Sequence, residues 1–100
     1  MTSPAPATKG SYATSNAKLL DPIGLHARPG VRLSKVAKGF TAQVEIASNP
    51  NGPWVDAKSL IKILSIKAVC GTVLQFRATG ADASAAVAAL ADLVNKGFPE

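Results

Sequence analysis

The sequence predicts one α+β domain, with elements in the order β-α-β-β-α-β-α and an antiparallel sheet solvated on one face. Three observations predict it. Segments 41–48 and 71–79 alternate apolar and polar residues with the period of two that a half-buried strand requires. The string "NPNGP" (49–53) places Asn51-Gly52 at the centre of a hairpin turn. Two other segments carry apolar residues at helical spacing, and their stripes must be buried against the sheet.

Taken in order, residues 1–11 read as a flexible, Pro/Ser/Thr-rich tail, and 12–100 as the domain. "SYATSNAKLL" (11–20) is a first strand of β-formers that ends at the Asp21-Pro22 turn. Over 27–39, Leu33, Val36, Ala37 and the following Phe40 fall at i, i+3, i+4 and i+7, and Gly39 closes the helix. In 41–48, Ala42, Val44 and Ile46 face one way, with Thr41, Gln43 and Glu45 opposite. "WVDA" (54–57) returns as the second strand of the hairpin, with Trp54 as a surface aromatic on an edge. "KSLIKILSI" (58–66) reads as a two-turn helix, and in 71–79 Leu74, Phe76 and Ala78 share a face. Asp82 is expected to N-cap the last helix, whose stripe is Val87, Leu90, Ala91 and Val94 and whose C-cap is Gly97.

With 100 residues, 47% of them hydrophobic, the chain can build one modest core and not two. No apolar run approaches the roughly 20 residues of a membrane span, so no membrane insertion is expected. The N-terminus lacks a secretory pattern, and the single Cys70, read as a small strand-edge residue, permits no internal disulfide. Both point to the reducing cytoplasm. Eleven Lys+Arg against six Asp+Glu give +5, which favours acidic partners.

The one histidine, His26, lies in "IGLHARPGVRL" (23–33), where a loop turns into the first helix. Pro29 suits a first helical turn, where its missing N–H loses no hydrogen bond. The amides from about Ala27 to Gly30, apart from proline's, lack intrahelical acceptors and form an anion site with the positive end of the helix dipole. Arg28 adds a planar fork suited to phosphate oxygens. No carboxylate lies close enough in sequence to make an obvious acid–base pair with His26. The helix terminus and Arg28 therefore favour the neutral imidazole, whose lone pair is a nucleophile for a phosphoryl group. Such chemistry needs no metal, cofactor or second histidine. Taken alone, a histidine at a helix start is more often an ordinary surface residue, and it is the whole string that reverses this reading.

"GLHARPG" (24–30) closely resembles the active-site signature of HPr, the histidine phosphocarrier family of the phosphoenolpyruvate:sugar phosphotransferase system. "DAKSLIKIL" (56–64) resembles the family's second-helix signature, and "ATGADA" (78–83) its last strand-to-helix turn. The resemblance spans roughly 12–98. It implies an open-faced β-sandwich, a four-stranded antiparallel sheet with three helices on one side. It implies that His26 takes a phosphoryl group on Nδ1 from phospho-enzyme I and passes it to an enzyme IIA component. The carrier is then not itself an enzyme. Arg28 would balance the phosphate charge, and the first-turn positions Ala27, Arg28, Pro29 and Gly30 would surround it. Val31, Leu60, Ile61 and Leu64 match the family's apolar docking patch. Ile63 and Ile66 are expected to turn into the core. Ser59 matches a regulatory serine that a kinase phosphorylates in some bacteria, and also suits a helix N-cap. Arg28, Arg32 and Lys35, with Lys58 and Lys62, would form a basic rim for acidic partner faces.

Lys62 and Lys67 depart from the family, standing where it commonly has glycines. The branch stays open between sugar uptake, a nitrogen-related regulatory branch and a dihydroxyacetone kinase system. A basic nucleic-acid-binding domain is the alternative class. Against it, the strands carry no aromatic ladder for stacking bases.

Overall fold

The structure, a computed structural model, describes residues 12–99, so the tail expected over 1–11 lies outside the described residues. Seven elements follow the expected order: β1 (Ala13–Lys18), α1 (Ala27–Lys38), β2 (Gln43–Ala47), β3 (Val55–Asp56), α2 (Leu60–Ser65), β4 (Val73–Thr79) and α3 (Ala83–Asn95). The strands form one sheet in the order β1-β4-β2-β3, each neighbouring pair antiparallel. The elements are shorter than the segments that predicted them. Past the end of β1, pairing persists only as separate bonds, from the Leu19 N–H to the Thr72 carbonyl and from the Gly71 N–H to the Leu19 carbonyl.

Alternation decides which side of the sheet is core. Register sets Ile46 opposite Phe76 and Ala17 opposite Leu74, and all four are buried on the inner face. Leu33 and Ala37 of α1, Ile63 of α2, and Val87, Leu90 and Val94 of α3 complete a single cluster with them. Each such large aliphatic side chain contributes roughly 1.5–3 kcal/mol by leaving water. Helices thus cover one face of the sheet, and the result is the α+β open-faced β-sandwich. On the other face Thr14, Asn16, Lys18 and Gln43 are exposed.

The outer face adds a contact to the expected surface position of Trp54. Arg77 lies over the rings of Tyr12 and Trp54, at 4.5 and 4.2 Å, while its Nε donates to Glu45 at 2.7 Å. Trp54, half-buried just ahead of β3, and Tyr12, just ahead of β1, are surface rings outside the strands themselves. Both are engaged by the same guanidinium.

The ends of α3 also differ from simple capping. Asp82 occupies the N-cap position but makes no side-chain bond to its own helix. Its carboxylate instead accepts the Thr41 and Ala42 N–H groups, at 2.9 and 2.8 Å, and ties α3 to the entrance of β2. The Thr41 amide first, then that of Ala42, holds this carboxyl below its usual value. At the other end Gly97, with φ of 76°, donates to the Val94 carbonyl, and Phe98 donates to that of Leu93. This paired C-cap buries the Phe98 ring against the core. Cys70 lies in the turn before β4 rather than at a strand edge, exposed, with Sγ 3.7 Å from the Leu20 carbonyl.

Candidate functional site

Two short segments hold His26 in place. The Leu25 N–H donates to the Ala68 carbonyl at 2.9 Å, and the Leu25 side chain is buried, so the approach to α1 is pinned against residues 68–70. Gly24 permits this contact. Its φ is +90°, and a Cβ there would stand 2.7 Å from the Ala68 oxygen. The backbone then extends at His26, the N-cap of α1, whose side chain makes no capping bond and is 33% exposed. The ring is left for other work.

The positions expected around an anion are narrowed by the helix itself. Pro29 has no N–H and is buried. The Gly30 N–H donates to the His26 carbonyl at 2.9 Å, the first hydrogen bond of the helix. Both therefore drop out as donors. The Ala27 and Arg28 amides precede that first bond and have no intrahelical acceptor. Gly30 has a packing role: a Cβ there would meet methyls of Leu60 and Leu64 at 3.0 and 3.2 Å, so α2 lies close against the start of α1.

Arg28 reaches across to the end of α3, where Nη1 lies 3.4 Å from the Phe98 carbonyl. Arg32 of the same helix donates to the Pro99 carbonyl. Arg28 and Asp21 line one cleft of about 250 Å³ together with Leu20, Pro22, Gly97 and Phe98. The Lys58 ammonium, expected on the basic rim, instead donates to the Phe40 carbonyl at 2.8 Å.

Asp21 is the residue that sequence reasoning missed. Its Oδ2 lies 3.2 Å from His26 Nε2, so the histidine does have a carboxylate partner, five residues back. Asp21 Oδ1 accepts the Ile23 N–H at 2.9 Å, and the Asp21 carbonyl accepts that of Gly24. This Asx turn folds residue 21 back on residue 26. The local field is therefore not purely positive. The Ile23 amide, then the His26 ring and the Arg28 charge, hold the Asp21 carboxyl below its usual range despite partial burial. The Asp21-Pro22 turn was legible, but which way its carboxylate points was not.

An apolar patch adjoins the site. Ile61 is 80% exposed and Val31 44%, Leu60 and Leu64 are half-buried, and Ile63 is fully buried. Ile66 packs on the core edge as expected. Ile23 and Val69 are also exposed, at 76% and 69%, beside the loop that carries His26; they were not anticipated. Ser59 caps α2, its hydroxyl accepting the Lys62 N–H at 3.3 Å. Lys67, just past α2, has φ of 55°, a left-handed conformation that favours glycine.

An open-faced β-sandwich that presents one imidazole at a helix N-terminus, with a carboxylate at its Nε2 and an arginine two residues on, has the build of a small histidine carrier domain. Comparison with known proteins specifies the class. The profile of the PTS HPr component phosphorylation site matches residues 13–96, and the chain belongs to this HPr family of phosphotransferase-system phosphocarriers. The Escherichia coli K12 phosphocarrier protein NPr is 34% identical over 83 residues, covering 83% of this chain and 91% of that protein. A multiphosphoryl transfer protein of Vibrio cholerae is 38% identical over 88 residues. That match takes in 87% of this chain but only 22% of that longer relative. Among solved structures, HPr-C-His from Thermoanaerobacter tengcongensis superposes with a TM-score of 0.79 at 32% identity, covering 88% of this chain and 97% of that one.

Proposed function

We propose that the chain carries a phosphoryl group on Nδ1 of His26, taken from phospho-enzyme I and given to an enzyme IIA component. The observation that carries this reading is the pairing of Nε2 with Asp21 at a helix N-terminus, which leaves Nδ1 as the lone-pair atom of the neutral ring. In the transfer, the Nδ1 lone pair forms the bond to phosphorus. The bond from phosphorus to the donor breaks, and its electron pair stays with the donor. The amides of Ala27 and Arg28 and the Arg28 guanidinium offset the phosphoryl charge. Val31, Leu60, Ile61 and Leu64 form the apolar centre of the docking face, and the basic side chains of α1 orient acidic partners. Ser59 is the site at which a kinase adds a second, regulatory phosphate. A dianion at this cap, next to the apolar face, lowers partner affinity by charge and desolvation.

The 34% identity to an NPr supports a nitrogen-related branch as a second reading of the same carrier. Presenting the phosphorylated chain to a sugar-type and a nitrogen-type enzyme IIA together separates the two, since the cognate protein is labelled first. The carrier reading itself is tested by incubation with phosphoenolpyruvate and enzyme I, followed by intact mass. The expected product bears one acid-labile phosphoryl group, and His26→Ala, still folded, bears none. Equal labelling of His26→Ala would overturn the assignment.

A further inference from the structure

We infer that Asp21 is a positioning residue for His26, setting its tautomer and holding the Nε2 proton throughout the phosphoryl cycle; this rests on the carrier reading above. Each carboxylate oxygen has a separate task. Oδ1 accepts the Ile23 N–H at 2.9 Å and keeps the turn closed, and Oδ2 faces Nε2 of the ring at 3.2 Å. An ionised carboxylate only accepts hydrogen bonds, so the nitrogen opposite it must carry the proton. The side chains are 15% and 33% exposed, which limits competition from water for this bond. Held in that form, the neutral ring presents its lone pair at Nδ1 and nowhere else.

The same contact serves both directions of transfer. When Nδ1 binds phosphorus, the donor bond breaks with its electron pair retained by the donor. The ring then carries N–P at one nitrogen, N–H at the other and a positive charge. Asp21 lies against that charge. On transfer onward the N–P electron pair returns to Nδ1, and the ring departs as neutral imidazole instead of imidazolate. No proton has to move at either step.

Two substitutions distinguish this role from simple support of the turn. In Asp21→Asn, Oδ1 still accepts the Ile23 N–H, but an NH₂ group now faces Nε2. The ring must offer a lone pair there, and its proton moves to Nδ1, which blocks the nucleophile. Asp21→Ala removes both bonds and leaves the tautomer unbiased. A long-range ¹H–¹⁵N spectrum of the single histidine, recorded at about pH 9 where an ordinary imidazole is neutral, reads the tautomer without any partner. The wild type is expected as the Nε2–H form and Asp21→Asn as the Nδ1–H form. Phosphorylation by enzyme I is expected to fall about tenfold or more in Asp21→Asn, with a smaller loss in Asp21→Ala. An Nε2–H ring in Asp21→Asn, or wild-type rates in that variant, would overturn the role. A wild type that accepts no phosphoryl group would overturn the carrier reading, while the tautomer spectra still decide whether Asp21 sets the ring.

Discussion

Two charged residues accompany His26: Asp21 at its Nε2, and Arg28 two residues on in the first turn of α1. Asp21 works on Nε2 through a turn that leaves it little freedom. Arg28 extends from the first turn of α1 toward the Phe98 carbonyl, 3.4 Å away, and its guanidinium fork suits the oxygens of a phosphoryl dianion. Arg28→Ala should therefore slow transfer while leaving helix content unchanged. Losing a charge-assisted contact costs about 1.5–3 kcal/mol, or roughly a ten- to hundredfold drop in rate. Arg28→Lys should restore only part of it, because a point charge replaces a planar fork. Stopped-flow transfer at sub-saturating enzyme I, with circular dichroism of each variant, checks both parts. At this scale the sequence displayed "GLHARPG" openly, since small residues, a proline and an arginine each have a local reason to be there. Asp21 stayed hidden because its link to His26 runs through an Asx turn, and turn direction is not a property of spacing.

The short α2 and the long α3 show how far an element can be read from its own residues. On α2, the Ser59 cap followed from local chemistry, whereas the split between an inward Ile63 and an exposed Ile61 followed from the family resemblance. Because Ile61 buries little within the domain, Ile61→Glu should leave stability nearly unchanged yet weaken transfer to and from partners. Unchanged rates at sub-saturating partner would remove α2 from the interface. On α3, the cap position was legible but the use of Asp82 was not, because its acceptors are committed to Thr41 and Ala42, forty residues earlier. That tie has a pH signature. The Asp82 carboxyl is held below its usual 3.8 in the folded chain, first by the Thr41 amide, so the folded state binds this proton less readily than the unfolded state does. Its stabilisation is present above 3.8 and is lost as pH falls through the lower, folded value. Urea titrations across the acid range should show stability declining below this point, and Asp82→Ala should be less stable at neutral pH with a flatter acid limb. A decline of equal slope in the variant would assign the acid sensitivity to other carboxyls.

At the scale of the whole molecule, the sheet brings together what the sequence keeps apart. Antiparallel pairing of β1 with β4 carries the loop after β1 alongside the turn before β4, so residues 21–26 meet residues 68–70. Alternation and helical stripes made the layers legible, because burial period is written residue by residue. The stacking of Tyr12 and Trp54 on Arg77 was not legible, because it depends on which strands are neighbours. The outcome is one helix N-terminus, one imidazole and one apolar patch on a single surface, with the core behind them. On the proposed function, this surface passes a phosphoryl group through Nδ1 of His26. The most direct measurement is a ³¹P and ¹⁵N NMR spectrum of the ¹⁵N-labelled chain, taken after phosphoenolpyruvate and enzyme I and again after addition of an enzyme IIA. One phosphorus resonance coupled to Nδ1 of His26 is expected, and it disappears as the enzyme IIA is labelled. Coupling to Nε2, or a stable phosphate elsewhere with His26 unmodified, would contradict it.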